Sequence, residues 1–132
     1  MRQMIWAMAV VAMATGAQAQ DAEIQGTIDR QFEAFKLDDF GTAFTFASPD
    51  LQRMFQTPEN FGRMVTQGYP MVWRPAAVDY LELSAREGSF FQIVQITDDA
   101  GTFHYLEYSL IETPAGWRIS GVRFLEAPRP SV

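Results

Sequence analysis

Apolar residues in the first third of the chain recur with the spacing of an α-helix. Within residues 21–37, Ile24, Ile28, Phe32 and Phe35 succeed one another at intervals of four, four and three positions. Such intervals place the side chains on one stripe of a helix. We therefore predict an amphipathic helix over residues 21–37 whose apolar stripe is buried against the rest of the domain.

A short apolar repeat predicts a helix over residues 40–47. Two helix-start signals follow it in the sequence. Ser48-Pro49-Asp50 and Thr57-Pro58-Glu59 each place a hydroxyl residue directly before a proline and an acid. A hydroxyl at the N-cap accepts a hydrogen bond from the first turn, and proline suits the first helical position. These signals predict short helices over residues 49–55 and 58–67.

The segment Gly68–Pro75, with the sequence GYPMVWRP, marks a change of structure. Gly68 suits the position after a helix, where a left-handed backbone is favoured, and Pro70 is expected to prevent the helix from resuming. Arg74 precedes Pro75, and a residue before proline favours the extended conformation. The segment is therefore predicted to connect a helical layer to a sheet.

From residue 77 onward the apolar positions recur with a period of two, which is typical of β-strands. Turn-forming residues divide this half of the chain into four predicted strands, over 77–85, 89–97, 102–112 and 117–125. Short turns between consecutive strands predict an antiparallel meander. Because the helices precede the strands, the predicted fold class is α+β, with helices packed on one face of the sheet.

Both faces of the predicted sheet carry apolar side chains. One set of alternate positions comprises Phe91, Ile93, Phe103, Tyr105, Ile111, Trp117, Ile119 and Leu125. The opposite set comprises Phe90, Val94, Ile96, Leu106, Tyr108, Leu110, Val122 and Phe124. A sheet with one solvated face alternates with polar residues, so we expect both faces to be at least partly covered. A single β-bulge would exchange the sets locally. The sequence therefore does not determine which face meets the helices.

The N-terminus has the order of a secretory signal peptide. Arg2 precedes an apolar run over residues 4–14, which is too short to span a bilayer. Ala17 and Ala19 then supply the small residues that a cleavage site requires. These features predict a signal peptide over residues 1–19 with cleavage after Ala19. The alternatives for this segment are an N-terminal anchor and an ordinary buried helix.

Cleavage at this position defines the predicted domain organisation. A single α+β domain would occupy residues 20–126, followed by a flexible Pro-rich tail over residues 127–132. The absence of a twin arginine favours the general secretory route. The protein is predicted to be periplasmic or secreted, with no stable membrane anchor after cleavage.

Composition narrows the classes of function. Removal of Arg2 with the signal peptide leaves 9 of the 10 basic residues against 16 acidic ones, a net charge of −7. This charge disfavours nucleic acid and anionic lipid as partners. With no cysteine and one histidine, no disulfide can form and a zinc site is disfavoured. No phosphate-binding glycine loop, nucleophile elbow or metal-binding helix motif occurs, so no cofactor and no metal are predicted.

Three segments carry a resemblance to a known family: Ala47–Pro49, Met64–Pro75 and Gly116–Ile119. With the order of helices and strands over roughly Ile24–Leu125, the chain resembles a family of short secreted bacterial proteins described as a domain of unknown function, DUF family 4864. That family is similar to the nuclear-transport-factor-like, or SnoaL-like, superfamily, in which a curved sheet wraps a long helix to form a cone. The resemblance implies this fold and carries no activity, cofactor or catalytic residue.

Candidate ligand-binding residues come from the rim of the cone and from one strand face. Tyr69, Trp73 and Arg74 would lie at the rim, where aromatic walls with few polar groups suit a small molecule. The alternative for Trp73 is that it closes the open end of the core. Gln92 and Tyr108 share one strand face and are predicted as polar groups inside the pocket.

These features predict an exported, non-enzymatic domain that binds a small apolar or amphipathic ligand, or that pairs with itself or another protein through its sheet. No catalytic residue is predicted. The alternative is a small enzyme of isomerase or hydrolase type that uses a tyrosine and a carboxylate in the cavity, for which Glu107 and Asp79 are the acids to examine. Arg118 and Arg123 are expected to be solvated or to pair with Glu107 or Glu112 across strands.

Overall fold

The computed structural model describes residues 11–126, with side chains from residue 18 onward. Most of the predicted signal peptide (1–10) and the Pro-rich tail (127–132) lie outside the described residues. Within the described range, five helices precede four strands, and the helices pack on one antiparallel sheet. This arrangement confirms the predicted α+β class and is consistent with a cone. None of the helices in this range combines the length and apolar content that a bilayer span requires.

Helix α1 (Val11–Lys36) is the longest element and begins well before the predicted start at residue 21. Residues 11–20 include four alanines, and alanine has the highest helix propensity, so the backbone stays helical through the predicted cleavage motif. The helix ends where Asp38 takes a left-handed backbone with φ of 56°. Asp39 then caps the next helix, because its carboxylate accepts from the Thr42 N–H at 3.1 Å.

The predicted apolar stripe of α1 is confirmed. Ile24, Ile28 and Phe35 are at most 1% exposed, and Phe32 is 7% exposed. All four side chains belong to one core cluster together with the inward-facing residues of the sheet. The 3.6-residue period therefore positions this helix correctly against the sheet.

Three short helices complete most of the helical layer: α2 (Phe40–Thr45), α3 (Pro49–Phe55) and α4 (Pro58–Gly68). The Ser48 hydroxyl accepts from the Leu51 N–H at 3.3 Å, and the Thr57 hydroxyl accepts from the Asn60 N–H at 3.1 Å. Both predicted N-caps are confirmed, and each proline occupies the first turn. The caps supply partners for N–H groups that a helix start otherwise leaves unpaired.

The end of α4 differs from the prediction. Gly68 belongs to the helix without a positive φ, and Tyr69, with φ of −135°, forms the cap. Pro70 begins a further helix of one turn, α5 (Pro70–Trp73). The expectations that Gly68 closes the helix and that Pro70 keeps it from resuming are wrong. One non-helical residue is enough to separate two helices, and the fixed φ of proline suits the first position of the second.

The strands are β1 (Ala77–Arg86), β2 (Ser89–Thr97), β3 (Phe103–Thr113) and β4 (Gly116–Leu125). They pair antiparallel in the order β1-β2-β3-β4. The predicted meander is confirmed, and each strand end lies within one residue of its prediction. Gly88, Gly101 and Gly116 have φ of 83°, 86° and 118° at the turns, a conformation that glycine adopts without strain.

Two register shifts interrupt the sheet. The first lies in β1 between Tyr80 and Leu83. The second lies where Ile119 pairs with Leu110 while Gly121 pairs with Ser109, which leaves one residue of β4 unpaired. The alternation of faces therefore changes within β4, and the prediction that a bulge would exchange the two apolar sets is confirmed. Bulges also bend the strands that carry them, which favours a curved sheet.

The face of the sheet that meets the helices is now defined. Its central residues are buried: Gln92, Val94, Ile96, Leu106, Tyr108 and Leu110. On the opposite, outer face the large apolar side chains are only partly buried, and Phe103 is 57% exposed. The helices cover the face that holds Tyr108, and the expectation that the outer face is also partly covered stays a prediction.

A short backbone bridge attaches the connection between α2 and α3 to the sheet. Ala47 pairs with Ile119 in a parallel bridge. The Ser48 N–H donates to the Ile119 carbonyl at 2.8 Å, and the Ile119 N–H donates to the Phe46 carbonyl at 2.8 Å. The bridge holds the start of α3 beside β4 and thereby forms one wall of the site described next.

Candidate functional site

A cavity of about 310 Å³ lies between the helical layer and the sheet. Its walls come from α1, α3, α4 and α5 on one side and from β3 and β4 on the other. The inner wall consists of buried apolar side chains: Phe35, Ala47, Phe61, Val65, Val72 and Ile119. The Phe61 ring lies 5.9 Å from that of Phe35 and 5.6 Å from that of Phe55, centroid to centroid. Such walls can bury most of the surface of an apolar ligand.

Partly exposed lining residues mark the mouth of the cavity. They are Leu51, Phe55, Met64, Tyr69, Gly121 and Val122. The Tyr69 ring stacks on that of Phe124, with centroids 4.9 Å apart, and its hydroxyl donates to the Val122 carbonyl at 3.3 Å. Tyr69 therefore lies at the mouth of the cavity, which is mainly apolar, and a ligand contact by Tyr69 stays a prediction.

Tyr108 is the most deeply buried polar side chain of the cavity wall. The residue is 1% exposed, and its ring centroid lies 6.3 Å from that of Phe32. Among the described backbone and the side chains from residue 18 onward, its hydroxyl has no hydrogen-bond partner. Burial, and to a smaller degree the nearby Tyr69 phenol, raise the pKa of the Tyr108 hydroxyl well above its ordinary value. Tyr108 is therefore a neutral hydrogen-bond donor at physiological pH.

Gln31 is a second polar group in the wall, and the sequence reasoning missed it. The residue is 5% exposed, and its Nε2 donates to the Ala43 carbonyl at 3.1 Å. Its amide oxygen receives no hydrogen bond from the described part of the chain. The available signal was its position, four residues before Phe35 and three after Ile28, which places a polar residue on the buried stripe of α1.

The predicted rim residues Trp73 and Arg74 are not among the lining residues of the cavity. The Trp73 Nε1 donates to the Asp38 carboxylate at 2.8 Å, and the Arg74 guanidinium donates to the same oxygen at 3.0 Å. Arg74 also donates to the Phe35 carbonyl at 2.8 Å, which satisfies a carbonyl at the end of α1. Both side chains hold α5 against the end of α1, and a ligand contact by either stays a prediction.

The Asp38 contacts make stability depend on pH. Hydrogen bonds from Trp73 and then from Arg74 lower the pKa of Asp38 in the folded chain. The carboxylate therefore stabilises the fold above its unfolded pKa, about 3.9, and this contribution is lost as the pH falls through the lower folded pKa. We expect Asp38→Asn to lose less stability than the wild type when the pH is lowered from about 6 to about 2, as measured by urea midpoints.

The Asp38→Asn comparison has a matched control. Asparagine tolerates the left-handed backbone of position 38, so the substitution changes the charge without straining the chain. Asp99 lies in an exposed turn, and its carboxylate makes no hydrogen bond within the described residues. Asp99→Asn should keep the wild-type pH dependence. Equal pH dependence in Asp38→Asn and the wild type would show that the Asp38 contacts do not hold in solution.

Gln92 lies opposite Tyr108 across β2 and β3, so the predicted shared face is confirmed. Its Nε2 lies 3.1 Å from the Leu81 carbonyl and 3.3 Å from the Glu82 carbonyl, both within the register shift of β1. Its Oε1 accepts from the Gln25 amide at 3.2 Å. The side chain is fully buried but does not line the cavity, and a role for it in ligand binding stays a prediction.

Acidic residues lie away from the cavity. Glu107 is on the outer face of the sheet and pairs with Arg123 at 2.9 Å, which confirms the expected cross-strand pair. Asp79 is exposed on β1. The Tyr80 hydroxyl donates to Asp29 at 2.6 Å, and burial followed by this hydrogen bond raises the pKa of Tyr80. Asp29 is exposed and does not line the cavity, so this pair is not the enclosed tyrosine–carboxylate pair that the enzyme alternative requires.

No group of three histidine or acidic side chains that could hold a metal occurs among the described residues. His104 pairs with Asp98 at 2.8 Å, next to the turn between β2 and β3. Asp98 also accepts from the Ala100 and Thr102 N–H groups at 2.9 Å each. The pair therefore orders a turn and lies apart from the cavity.

Comparison with known proteins gives one result. A family model described as a domain of unknown function (DUF4864) matches residues 17–132. The matched range contains the buried stripe of α1 and every later helix and strand of the described chain. No curated protein and no solved structure matches the chain. The family description assigns no reaction, ligand or partner.

Proposed function

The chain belongs to the DUF4864 family of domains of unknown function, and from its cavity we propose that it binds a small, largely apolar ligand between its helical layer and its sheet. The single observation that carries this proposal is the apolar cavity of about 310 Å³. A volume of this size equals that of about ten waters at about 30 Å³ each, so it suits a compact molecule. We also propose that the fold belongs to the nuclear-transport-factor-like superfamily.

Binding is favoured over catalysis by the chemistry of the cavity wall. Its polar side chains are the Gln31 amide and the Tyr69 and Tyr108 hydroxyls, and the lining contains no carboxylate, histidine, lysine, serine or threonine beside them. General acid–base catalysis needs a titratable group within hydrogen-bond reach of the reacting atom. The wall offers apolar surface and neutral hydrogen-bonding groups instead, which is what a binding pocket uses.

A substitution that fills the cavity tests the proposal. Ala47 lines the cavity and is 1% exposed, so Ala47→Leu would project an isobutyl group into the space that a ligand needs. With ethylnaphthalene as a fluorescent apolar probe, we expect the wild type to bind and Ala47→Leu to bind at least about tenfold more weakly. The melting temperature should change by only about 3 °C, because added apolar volume enters existing space.

Ala85→Leu is the matched control, since Ala85 is exposed on β1 and does not line the cavity. It should bind the probe as the wild type does. Equal affinity in Ala47→Leu and the wild type would place the probe elsewhere and contradict the proposed site. Native mass spectrometry of the purified mature protein adds a test without a chosen probe, because a bound cellular ligand would appear as an added mass.

We further propose that the domain is exported, which rests on the signal-peptide features of residues 1–19. The intact mass of the protein recovered from the periplasm or medium should correspond to a chain that begins at Gln20. A full-length chain in the cytoplasm would contradict export. Because α1 includes residues 17–19, cleavage would act on the chain before this part of α1 forms.

Self-association through the outer face of the sheet is a second candidate. It is favoured by the partly exposed apolar residues of that face, Phe91, Ile93, Tyr105, Ile111 and Leu125, and by Phe103, which is 57% exposed. Large apolar side chains exposed to solvent are a common feature of protein–protein interfaces. Light scattering should give the mass of a dimer if this candidate is correct, and a monomer at all concentrations would remove it.

A further inference from the structure

We propose that the ligand of the cavity is uncharged and carries an oxygen acceptor, such as a carbonyl, that takes a hydrogen bond from the Tyr108 hydroxyl. This inference rests on the proposed binding function and deepens it by naming the chemical class of the ligand. It also assigns Tyr108 as the residue that recognises the polar end of that ligand.

The first argument is the state of the Tyr108 hydroxyl. The residue lines the cavity, is 1% exposed, and has no hydrogen-bond partner in the part of the chain that the structure describes. A buried hydroxyl without a partner destabilises a fold, so such groups are rare unless they have a use. A ligand oxygen in the cavity would supply the missing acceptor. The apolar surroundings would strengthen that bond relative to one formed in water.

The second argument concerns charge. The lining contains no Asp, Glu, Lys, Arg or His side chain, so no counter-ion is available inside the cavity. Transfer of an ion into an apolar site without a partner is strongly unfavourable. A neutral molecule with an acceptor oxygen satisfies Tyr108 at far lower cost in desolvation. The wall therefore selects a ketone, aldehyde, ester or alcohol over a carboxylate or an amine.

The third argument is the Gln31 amide oxygen. Gln31 lines the same cavity, and its Nε2 is already committed to the Ala43 carbonyl at 3.1 Å. The oxygen of the amide is left without a donor in the described chain, and an amide oxygen can accept two hydrogen bonds. A ligand that also bears a hydroxyl or N–H group could donate to it. Tyr108 recognises the acceptor, and Gln31 adds a preference for ligands that also donate.

Three probes of nearly equal size separate the contributions of the hydrogen bond, the apolar contacts and the charge to ligand affinity. Acetylnaphthalene carries a carbonyl, ethylnaphthalene replaces it with a methylene group, and naphthoate replaces it with a charged carboxylate at the same ring carbon. We expect the wild type to bind acetylnaphthalene about tenfold more tightly than ethylnaphthalene, because only the ketone pairs with Tyr108. Naphthoate should bind more weakly than either, because its charge has no partner in the cavity.

Tyr108→Phe removes the hydroxyl and keeps the ring. We expect this variant to lose the preference for acetylnaphthalene while it binds ethylnaphthalene as the wild type does. Tyr105→Phe is the matched control, because Tyr105 lies on the same strand and faces the outer side of the sheet. That control should keep the full preference. Without ligand, Tyr108→Phe should raise the melting temperature by about 4 °C, because an unpaired buried hydroxyl is removed.

The outcomes distinguish this inference from the binding function on which it rests. Equal affinity for the ketone and the hydrocarbon, with both lost in Ala47→Leu, would overturn the role of Tyr108 and leave cavity binding intact. A preference for naphthoate would overturn the uncharged class. A preference for the ketone that survives in Tyr108→Phe would assign the donor to another group. Failure of all three probes to bind would contradict the binding function itself.

Discussion

Ile28→Asp is expected to prevent the domain from folding. Ile28 is fully buried at the centre of the α1 stripe, within the cluster that joins the helix to the sheet. The substitution removes a large apolar side chain and places a carboxylate where no cation lies within the core cluster. We expect a loss of at least about 5 kcal/mol, which matches the whole stability of a marginally stable domain. Circular dichroism and the absence of a cooperative urea transition would report the loss.

Two further substitutions show whether the loss of stability in Ile28→Asp is caused by the burial of the new carboxylate. Leu37→Asp makes the same chemical change at a residue that is 76% exposed, and it should reduce stability by less than about 1 kcal/mol. Ile28→Val removes a single methylene group and should cost about 1 kcal/mol. An Ile28→Asp protein with the wild-type melting temperature would mean that α1 packs in a different register.

Gln92→Leu is expected to destabilise the fold by about 2–3 kcal/mol. The leucine keeps the side-chain volume near that of glutamine, so packing is largely preserved. It removes the amide that lies within hydrogen-bond distance of the Leu81 and Glu82 carbonyls in the β1 register shift and that accepts from Gln25. These groups would lose their partner next to a fully buried position. The urea midpoint should fall, with an unchanged dependence on denaturant.

Gln95→Leu is the matched control for this prediction. Gln95 lies on the same strand, and its side chain makes no hydrogen bond within the described residues. It is on the outer face, so the same substitution should change stability by less than about 0.5 kcal/mol. If Gln92→Leu is as stable as Gln95→Leu, the Gln92 amide does not hold the β1 irregularity together.

Local signals were sufficient to predict most of the backbone. The stripe of α1 follows from a 3.6-residue period, and the starts of α3 and α4 follow from Ser48 and Thr57, whose hydroxyls accept from N–H groups three residues later. The four strands follow from a two-residue period and glycine turns. These features depend on neighbours within a few residues, which a sequence displays directly. The predictions that Gly68 closes α4 and that Pro70 prevents a further helix were wrong, because both proline and glycine allow more than one arrangement at a helix boundary.

The site could be predicted only in part, because its geometry depends on long-range contacts. Tyr69 and Tyr108 do line the cavity. Trp73 and Arg74 instead meet Asp38, which is 35 and 36 positions away along the chain, and no local pattern indicates that pairing. Gln31 escaped notice because a polar residue on an apolar stripe can equally be a satisfied core group. Whether such a residue lines a cavity or is a satisfied core group depends on the residues that face it, and these lie on the sheet.

Polar side chains near the core differ in whether they have hydrogen-bond partners within the chain. Gln92 and Arg74 each have several partners within the chain, so their polar atoms stabilise the fold. Tyr108 and the Gln31 oxygen lie in the cavity wall without partners in the described chain. Since natural folds leave few buried polar atoms unpaired, the unpaired ones in a cavity indicate what a ligand is expected to contact.

The most direct test of the central claim is a methyl NMR titration of the folded protein with acetylnaphthalene. Ring currents from the probe shift only nearby methyl groups, so the spectrum locates the bound molecule. We predict shifts for Val65, Val72 and Ile119, which line the cavity, and none for Ile93 and Ile111 on the outer face of the sheet. Shifts confined to Ile93 and Ile111 would contradict an internal binding site and place the ligand on the outer face.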